Sequence, residues 1–299
     1  MEKNQSLAFK LALFTVFLWS TVATAFKIAL QSASVSQLVL VSSLTSLLVL
    51  VFIYVYQSKS NTQSLLNVFK QSPWRFIAAG LINPVIYYLV LFAAYERLPA
   101  QIAQPINYTW AIVLSLLAVP ILKQKFTKGD AIGLFFCYLG VFILVTRFDF
   151  AQFSEINLLG VFFAVLSTLL WASYWMINAK ISAPPVTALL LCFICAIPSL
   201  IVIALFNWSS FEFNINNVAA AIYIGLFEMS LAFVFWLKAM RLSTSTAQIS
   251  ILIYLSPFLS LVFIYFILGE PIYLTTVIGL IVICVGLLAQ KQLNQKKYG

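Results

Sequence analysis

Glu228 stands between Phe227 and Met229 in the middle of a long apolar run, and it is the only acidic residue deep inside one. Taking a carboxyl out of water is costly for its charged form, so an ionisable group at such depth marks a site for proton exchange or for pairing with a solute ammonium. The structural alternative is a glutamate that links helices, with Lys27 or Lys238 as partner. Uncharged polar residues recur around it at helical spacing. Ser20, Thr24, Lys27 and Gln31 fall on one helical face, and Ser167, Trp171, Tyr174 and Asn178 fall on another with the same i, i+4, i+7, i+11 pattern. Asn83 and Tyr87 form a shorter pair; Gln101, Gln104 and Tyr108 follow, with Asn107 and Trp110 beside them. Thr246, Ser250, Pro257 and Ser260 make a last stripe, with Tyr254 adjacent. If these faces converge they enclose a cavity with aromatic walls and neutral hydrogen-bonding groups, suited to zwitterionic or weakly charged organic solutes, aromatic ones included. The expected binding set is Trp19, Thr24, Lys27, Asn83, Tyr87, Gln104, Asn107, Tyr108, Trp171, Tyr174, Asn178, Glu228 and Tyr254, with Glu228 as the coupling group. Against this stands the plain packing role of Ser, Thr and Asn between helices, and the tendency of a lysine near a helix end to reach the interface.

The elements that carry these residues must cross a membrane. With 63% hydrophobic and 8% charged residues in 299, the chain is far from the soluble balance of about 25% charged. Apolar runs near residues 8–30, 36–56, 76–95, 100–122, 131–146, 158–178, 186–206, 218–238, 246–268 and 276–290 are each about long enough to span a bilayer. The connecting segments are too short for a soluble domain, so the net charge of +9 is a topology signal rather than a nucleic-acid footprint. An even number of spans puts both termini on one side. Of 17 Lys and Arg residues only Lys27, Arg97 and Arg147 fall at the other side, so both termini are expected in the cytoplasm, in a cell (inner) membrane. Lys3 and Lys10 ahead of Ala23-Thr24-Ala25 imitate a cleavable signal, but the helix is expected to stay because the repeat described below needs it. Between Gln57 and Arg75, Leu65, Leu66, Val68 and Phe69 suit a short helix on the membrane surface.

Metal and redox chemistry have no support. The chain has no histidine, and its four cysteines all lie in apolar runs, where Cys192 and Cys195 read as packing residues. With one deep carboxylate there is no acid–base cluster, so an enzyme, a bound metal and a cofactor are not expected. A channel or a non-transport membrane protein is the alternative to a carrier, but no carbonyl-filter motif or ring of charges is present.

Two halves share an order. At an offset of 144, Arg97-Leu98 meets Arg241-Leu242, Ala103-Gln104 meets Ala247-Gln248, and Pro84 meets Glu228. At 146, Gly133 and Gly140 meet Gly279 and Gly286; at 152, Leu18-Trp19 meets Leu170-Trp171. Five spans per unit is odd, so the second copy crosses in the opposite sense. The expected fold is an all-α integral membrane protein of ten transmembrane helices in two inverted five-helix repeats, residues 1–150 and 151–299. Pro84, Pro105 and Pro257 are candidate hinges, since each removes a helix donor and frees a carbonyl. The paired glycines imply close helix contact, within one chain or across a homodimer.

Trp19-Ser20 and Trp171-Ala172, then Arg241-Leu242-Ser243 with Ala247, Pro257, Gly269-Glu270-Pro271, Gly279 and Gly286, together resemble the EamA family of the drug/metabolite transporter superfamily. The resemblance implies a ten-helix permease for small organic solutes, amino acids and drugs among them, with a central cavity and no cofactor. It favours export. The expected function is secondary transport of an amino acid-like or aromatic metabolite by alternating access, with the lipid bilayer, the solute and a proton as partners.

Overall fold

In the computed structural model, residues 3–58, 64–123, 125–148, 156–208, 211, 214–244 and 246–298 are described. Lys59 and Gln124, and the side chains of Thr246, Ala247, Lys296 and Lys297, lie outside that set. Among the described residues every element is a helix: α1 Gln5–Leu30, α2 Val35–Ser58, α3 Leu65–Gln71, α4 Pro73–Arg97, α5 Ala100–Leu122, α6 Lys128–Thr146, α7 Leu158–Asn178, α8 Pro185–Phe206, α9 Ile215–Leu242, α10 Gln248–Leu268 and α11 Leu274–Tyr298. All except α3 are long and apolar enough to cross a membrane, which makes this a multi-pass membrane protein with ten spans.

Helices α1 and α6 start earlier than hydropathy alone places them, because polar residues cap them: Asn4 accepts from Leu7 N ahead of α1, and Thr127 and Asp130 form a reciprocal capping box ahead of α6. Asn157 likewise accepts from Gly160 N ahead of α7, which starts where hydropathy places it. Short α3 buries Val68 and leaves Leu66 outward, as a surface helix does. Leu48, Phe52 and Tyr56, one turn apart on α2, are 70%, 74% and 76% exposed, so the outer face of the bundle is apolar and fits hydrocarbon rather than water.

Helices α6 and α11 are fused into one unit. A side chain at Gly140 would place its Cβ 2.5 Å from Gly279 O, and one at Gly286 would meet Phe136 Cβ at 2.7 Å. The sequence-paired glycines therefore pack within one chain. At one end of this pair the Asp130 carboxyl accepts from Thr127 N at 2.9 Å, Thr127 Oγ1 at 2.8 Å, Gln290 Nε2 at 3.0 Å and Asn294 Nδ2 at 3.0 Å. Asp130→Ala strands those donors and is expected to cost about 1.5–3 kcal/mol, the range of hydrogen bonds to charged groups. A lower thermal unfolding midpoint in detergent with unchanged helix content checks it.

Candidate functional site

Four spans are interrupted where they meet. In α4 the backbone is extended at Asn83, with φ −133° and ψ 112°, because Pro84 brings no N–H and its ring excludes a regular turn. Helix α5 ends its first segment at Tyr108 and resumes at Trp110, downstream of Pro105. Helix α10 tightens to a 3-10 turn over Leu252–Leu255, and Pro257 opens the regular segment that follows. In α9 a wide turn with i→i+5 bonding runs from Ile224 to Leu231 without any proline.

That last turn is held by serines. Ser230 Oγ donates to Gly225 O at 2.7 Å and Leu226 O at 2.9 Å, while Ser42 and Ser46 of α2 donate to Ala221 O at 2.9 Å and Met229 O at 3.1 Å. The absent side chain at Gly225 lets the α2 backbone at Ser42 come this close. Wide turns at Leu81–Ile86 and Ile224–Leu231 occupy matching positions at the offset of 144, and Glu228 sits inside the second.

Between these breaks lies a cavity of about 440 Å³. Its wall includes Trp19, Phe26, Tyr87, Leu91, Tyr95, Gln104, Asn107, Tyr108, Trp110, Trp171, Trp175, Glu228, Phe233, Trp236, Met240, Ser250 and Tyr254. The rings are built into one another. Tyr87 stacks on Trp171 at 4.6 Å and 29°, Trp110 on Trp175 at 6.3 Å and 17°, and Trp19 meets Trp236 at 5.3 Å. Half-buried Glu228 accepts from Tyr88 OH at 3.2 Å. Asn107 accepts from Tyr87 OH at 3.4 Å and donates to Ser167 Oγ at 2.9 Å, which fixes its amide across α5 and α7.

Eight of the thirteen expected binding residues line this cavity: Trp19, Tyr87, Gln104, Asn107, Tyr108, Trp171, Glu228 and Tyr254. The other five do not. Thr24 and Asn83 are buried in the packing, where Thr24 Oγ1 and Asn83 Oδ1 have no hydrogen-bond partner among the described residues. Tyr174 lies behind Trp171, with centroids 5.4 Å apart, and Asn178 O accepts from Ile181 N at the end of α7. Lys27 does not pair with Glu228; its Nζ donates to Tyr95 O at 2.9 Å and Leu98 O at 3.1 Å. Sequence reasoning passed over Trp175, Phe233 and Trp236. Trp175 stands one turn after Trp171 and Trp236 about two turns after Glu228, a spacing that carried the signal.

The cavity is sealed at one end. Phe26 packs edge-on against Phe92 at 4.7 Å and Tyr95 at 5.1 Å, and Lys27 clasps the carbonyls just beyond. Past this layer Lys27, Gln31, Glu96 and Glu270 line a separate space of about 270 Å³. Glu270 there accepts from Ala100 N at 3.0 Å and caps α5. Toward the opposite end the lining becomes half-exposed at Leu114, Trp236, Leu237, Met240 and Ser250. At that end the start of α1 grips the turn after α9: Asn4 N donates to Leu242 O at 2.9 Å, and Gln5 Oε1 accepts from Thr244 N at 2.8 Å. Leu98 and Leu242, whose carbonyls accept from Lys27 Nζ and from Asn4 N at the two ends of α1, are equivalent at the offset of 144.

Known proteins resemble this chain in fold and sequence. A crystal structure of a protein aligns over 99% of this chain and 100% of its own, with a TM-score of 0.65 and 16% identity, a likeness of fold. An uncharacterized transporter of Archaeoglobus fulgidus is 24% identical over 218 residues, 71% of this chain and 74% of its own length. The uncharacterized transporter YyaM of Bacillus subtilis is 23% identical over 185 residues, 59% of each chain. The EamA-like transporter family matches residues 6–146 and 158–289, nearly all of both halves. With ten spans around an aromatic cavity and a family match along almost its whole length, the chain belongs to the EamA-like transporter family.

Proposed function

We propose that this protein is a secondary transporter that carries a small organic solute outward across the cytoplasmic membrane by alternating access, with Glu228 as the group that meets solute or proton. The carrying observation is the cavity itself: one carboxyl and a continuous aromatic wall at the point where four helices are broken. Residues 1–150 and 151–299 act as inverted repeats, and the matched wide turns around Pro84 and Glu228 support that reading, with Pro84, Pro105 and Pro257 at the flexing points. With both termini cytoplasmic, the half-exposed end of the cavity faces the cytoplasm, the side from which an exporter loads. An aromatic metabolite fits the wall. The test is mass-spectrometric release of a mixed metabolite pool from proteoliposomes, with and without a pH gradient, against empty liposomes. Selective release of one solute class is expected; no release above baseline by folded protein overturns the reading.

Alternating access makes Lys27 part of the outer closure. Removing its two charge-assisted hydrogen bonds shifts the balance toward the outward-open form. In a background where the four natural cysteines are alanine, Lys27→Met is expected to speed labelling of a Leu91→Cys reporter by an impermeant outside maleimide about tenfold. Equal labelling in both proteins would exclude a closing role for Lys27.

A further inference from the structure

We infer that the solute of the central cavity is a monovalent organic cation, a protonated or quaternary amine on an aromatic or branched apolar body, held by Glu228 within a cage of indole rings. This rests on the transporter reading and adds the sign of the solute's charge.

Three observations carry it. First, among the described residues Glu228 is the one ionisable carboxylate in the wall, and none of those lining it is lysine or arginine. The nearest candidate, Lys27, sits behind the Phe26–Tyr95 partition with its ammonium spent on two carbonyls. Second, Trp19, Trp110, Trp171, Trp175 and Trp236 all contribute to the wall. Indole faces attract a desolvated cation more strongly than any other side-chain ring and repel an anion. Third, at about 440 Å³ the cavity is large enough to enclose a small drug-sized molecule, so the solute leaves most of its water behind. Inside, a charge must be paired. An ammonium finds the Glu228 carboxylate. The carboxylate of a zwitterion would be left to neutral groups such as Gln104 and Tyr108, and an anion would face both Glu228 and the ring faces. The cavity therefore separates solutes of one skeleton by charge.

Four probes with a common phenylethyl skeleton test this: phenethylammonium, phenethyltrimethylammonium, phenylalanine and 3-phenylpropionate. Binding is measured calorimetrically on the purified full-length protein in detergent micelles. Both cations are expected to bind at least tenfold more tightly than phenylalanine or 3-phenylpropionate. The quaternary amine, which carries no exchangeable proton, must share the preference if charge is what is recognised. Glu228→Gln is expected to weaken both cations about tenfold or more without weakening 3-phenylpropionate, and Trp171→Leu to weaken the cations while leaving the protein folded. Equal or tighter binding of phenylalanine or 3-phenylpropionate overturns the inference, as does failure of both cations to bind folded protein at millimolar concentration. Counterflow in proteoliposomes separates the two levels of the argument. Cation binding without any counterflow would sink the transporter reading and leave the charge assignment standing; phenylalanine counterflow without cation binding would do the reverse.

Discussion

Glu228→Gln is expected to lower solute flux by about thirtyfold or more and to erase its response to a pH gradient. Glutamine keeps the shape and can still accept from Tyr88, so the fold is retained while the charge is lost. Truncating one partner of a buried, hydrogen-bonded charge pair costs about 2–5 kcal/mol, and 2 kcal/mol is already about thirtyfold. The sign of the pH effect follows from exchange. If solute leaves as a proton enters on the same carboxyl, an acidic exterior stimulates export by the wild type, and a side chain that takes no proton removes the stimulation. Tyr88→Phe is the internal control, since it deletes only the 3.2 Å hydrogen bond. A hydrogen bond to a charged carboxylate is worth about 1.5 kcal/mol or more, so its flux should fall about tenfold and keep its pH response. Initial rates in proteoliposomes at several external pH values decide both.

Gly140→Leu is expected to prevent stable assembly of the α6–α11 pair. The first added atom already lies 2.5 Å from Gly279 O and 3.0 Å from Ile283 N, both backbone, and 2.6 Å from Ile283 Cγ1. Backbone cannot swing aside, so the helices must separate and lose their packing, at about 3 kcal/mol or more. Thermal unfolding in detergent and the yield of monodisperse protein measure this. Gly269→Ala is the contrast: nothing lies within 4 Å, and only the positive φ of 69° resists the new side chain, a strain of about 1 kcal/mol. It should remain folded, with a small drop in unfolding temperature.

The number and order of spans were legible in the sequence because a bilayer dictates both the length and the apolarity of what crosses it. Helix ends were not, since Asn4 and the Thr127–Asp130 box carry α1 and α6 past the first apolar residue. For the site, helical spacing found only part of the wall: on α1 the lining runs through Trp19, Val22, Ala23 and Phe26, beside rather than along the Ser20, Thr24, Lys27 and Gln31 stripe. Lys27 lies eight residues beyond Trp19, about 12 Å further along α1, which puts it past the seal rather than in the cavity. Asn178 overshoots Trp171 at the other end of its stripe in the same way. Tyr174 shows the other failure: a residue on the right face is screened by a larger neighbour, here Trp171. Proline spotted the break at Asn83–Pro84, but the wide turn at Glu228 is made by Ser230 and by Ser42 and Ser46 of α2, a tertiary cause that no local pattern displays.

The central claim is that the cavity around Glu228 carries its solute by turns to either side, and counterflow tests it most directly. Proteoliposomes loaded with unlabelled phenethyltrimethylammonium are diluted into a trace of the labelled compound. The account predicts that label accumulates transiently above its equilibrium level, that the overshoot saturates with internal solute, and that Glu228→Gln abolishes it. Simple equilibration without overshoot, at a rate proportional to concentration and indifferent to Glu228→Gln, would contradict alternating access through this site.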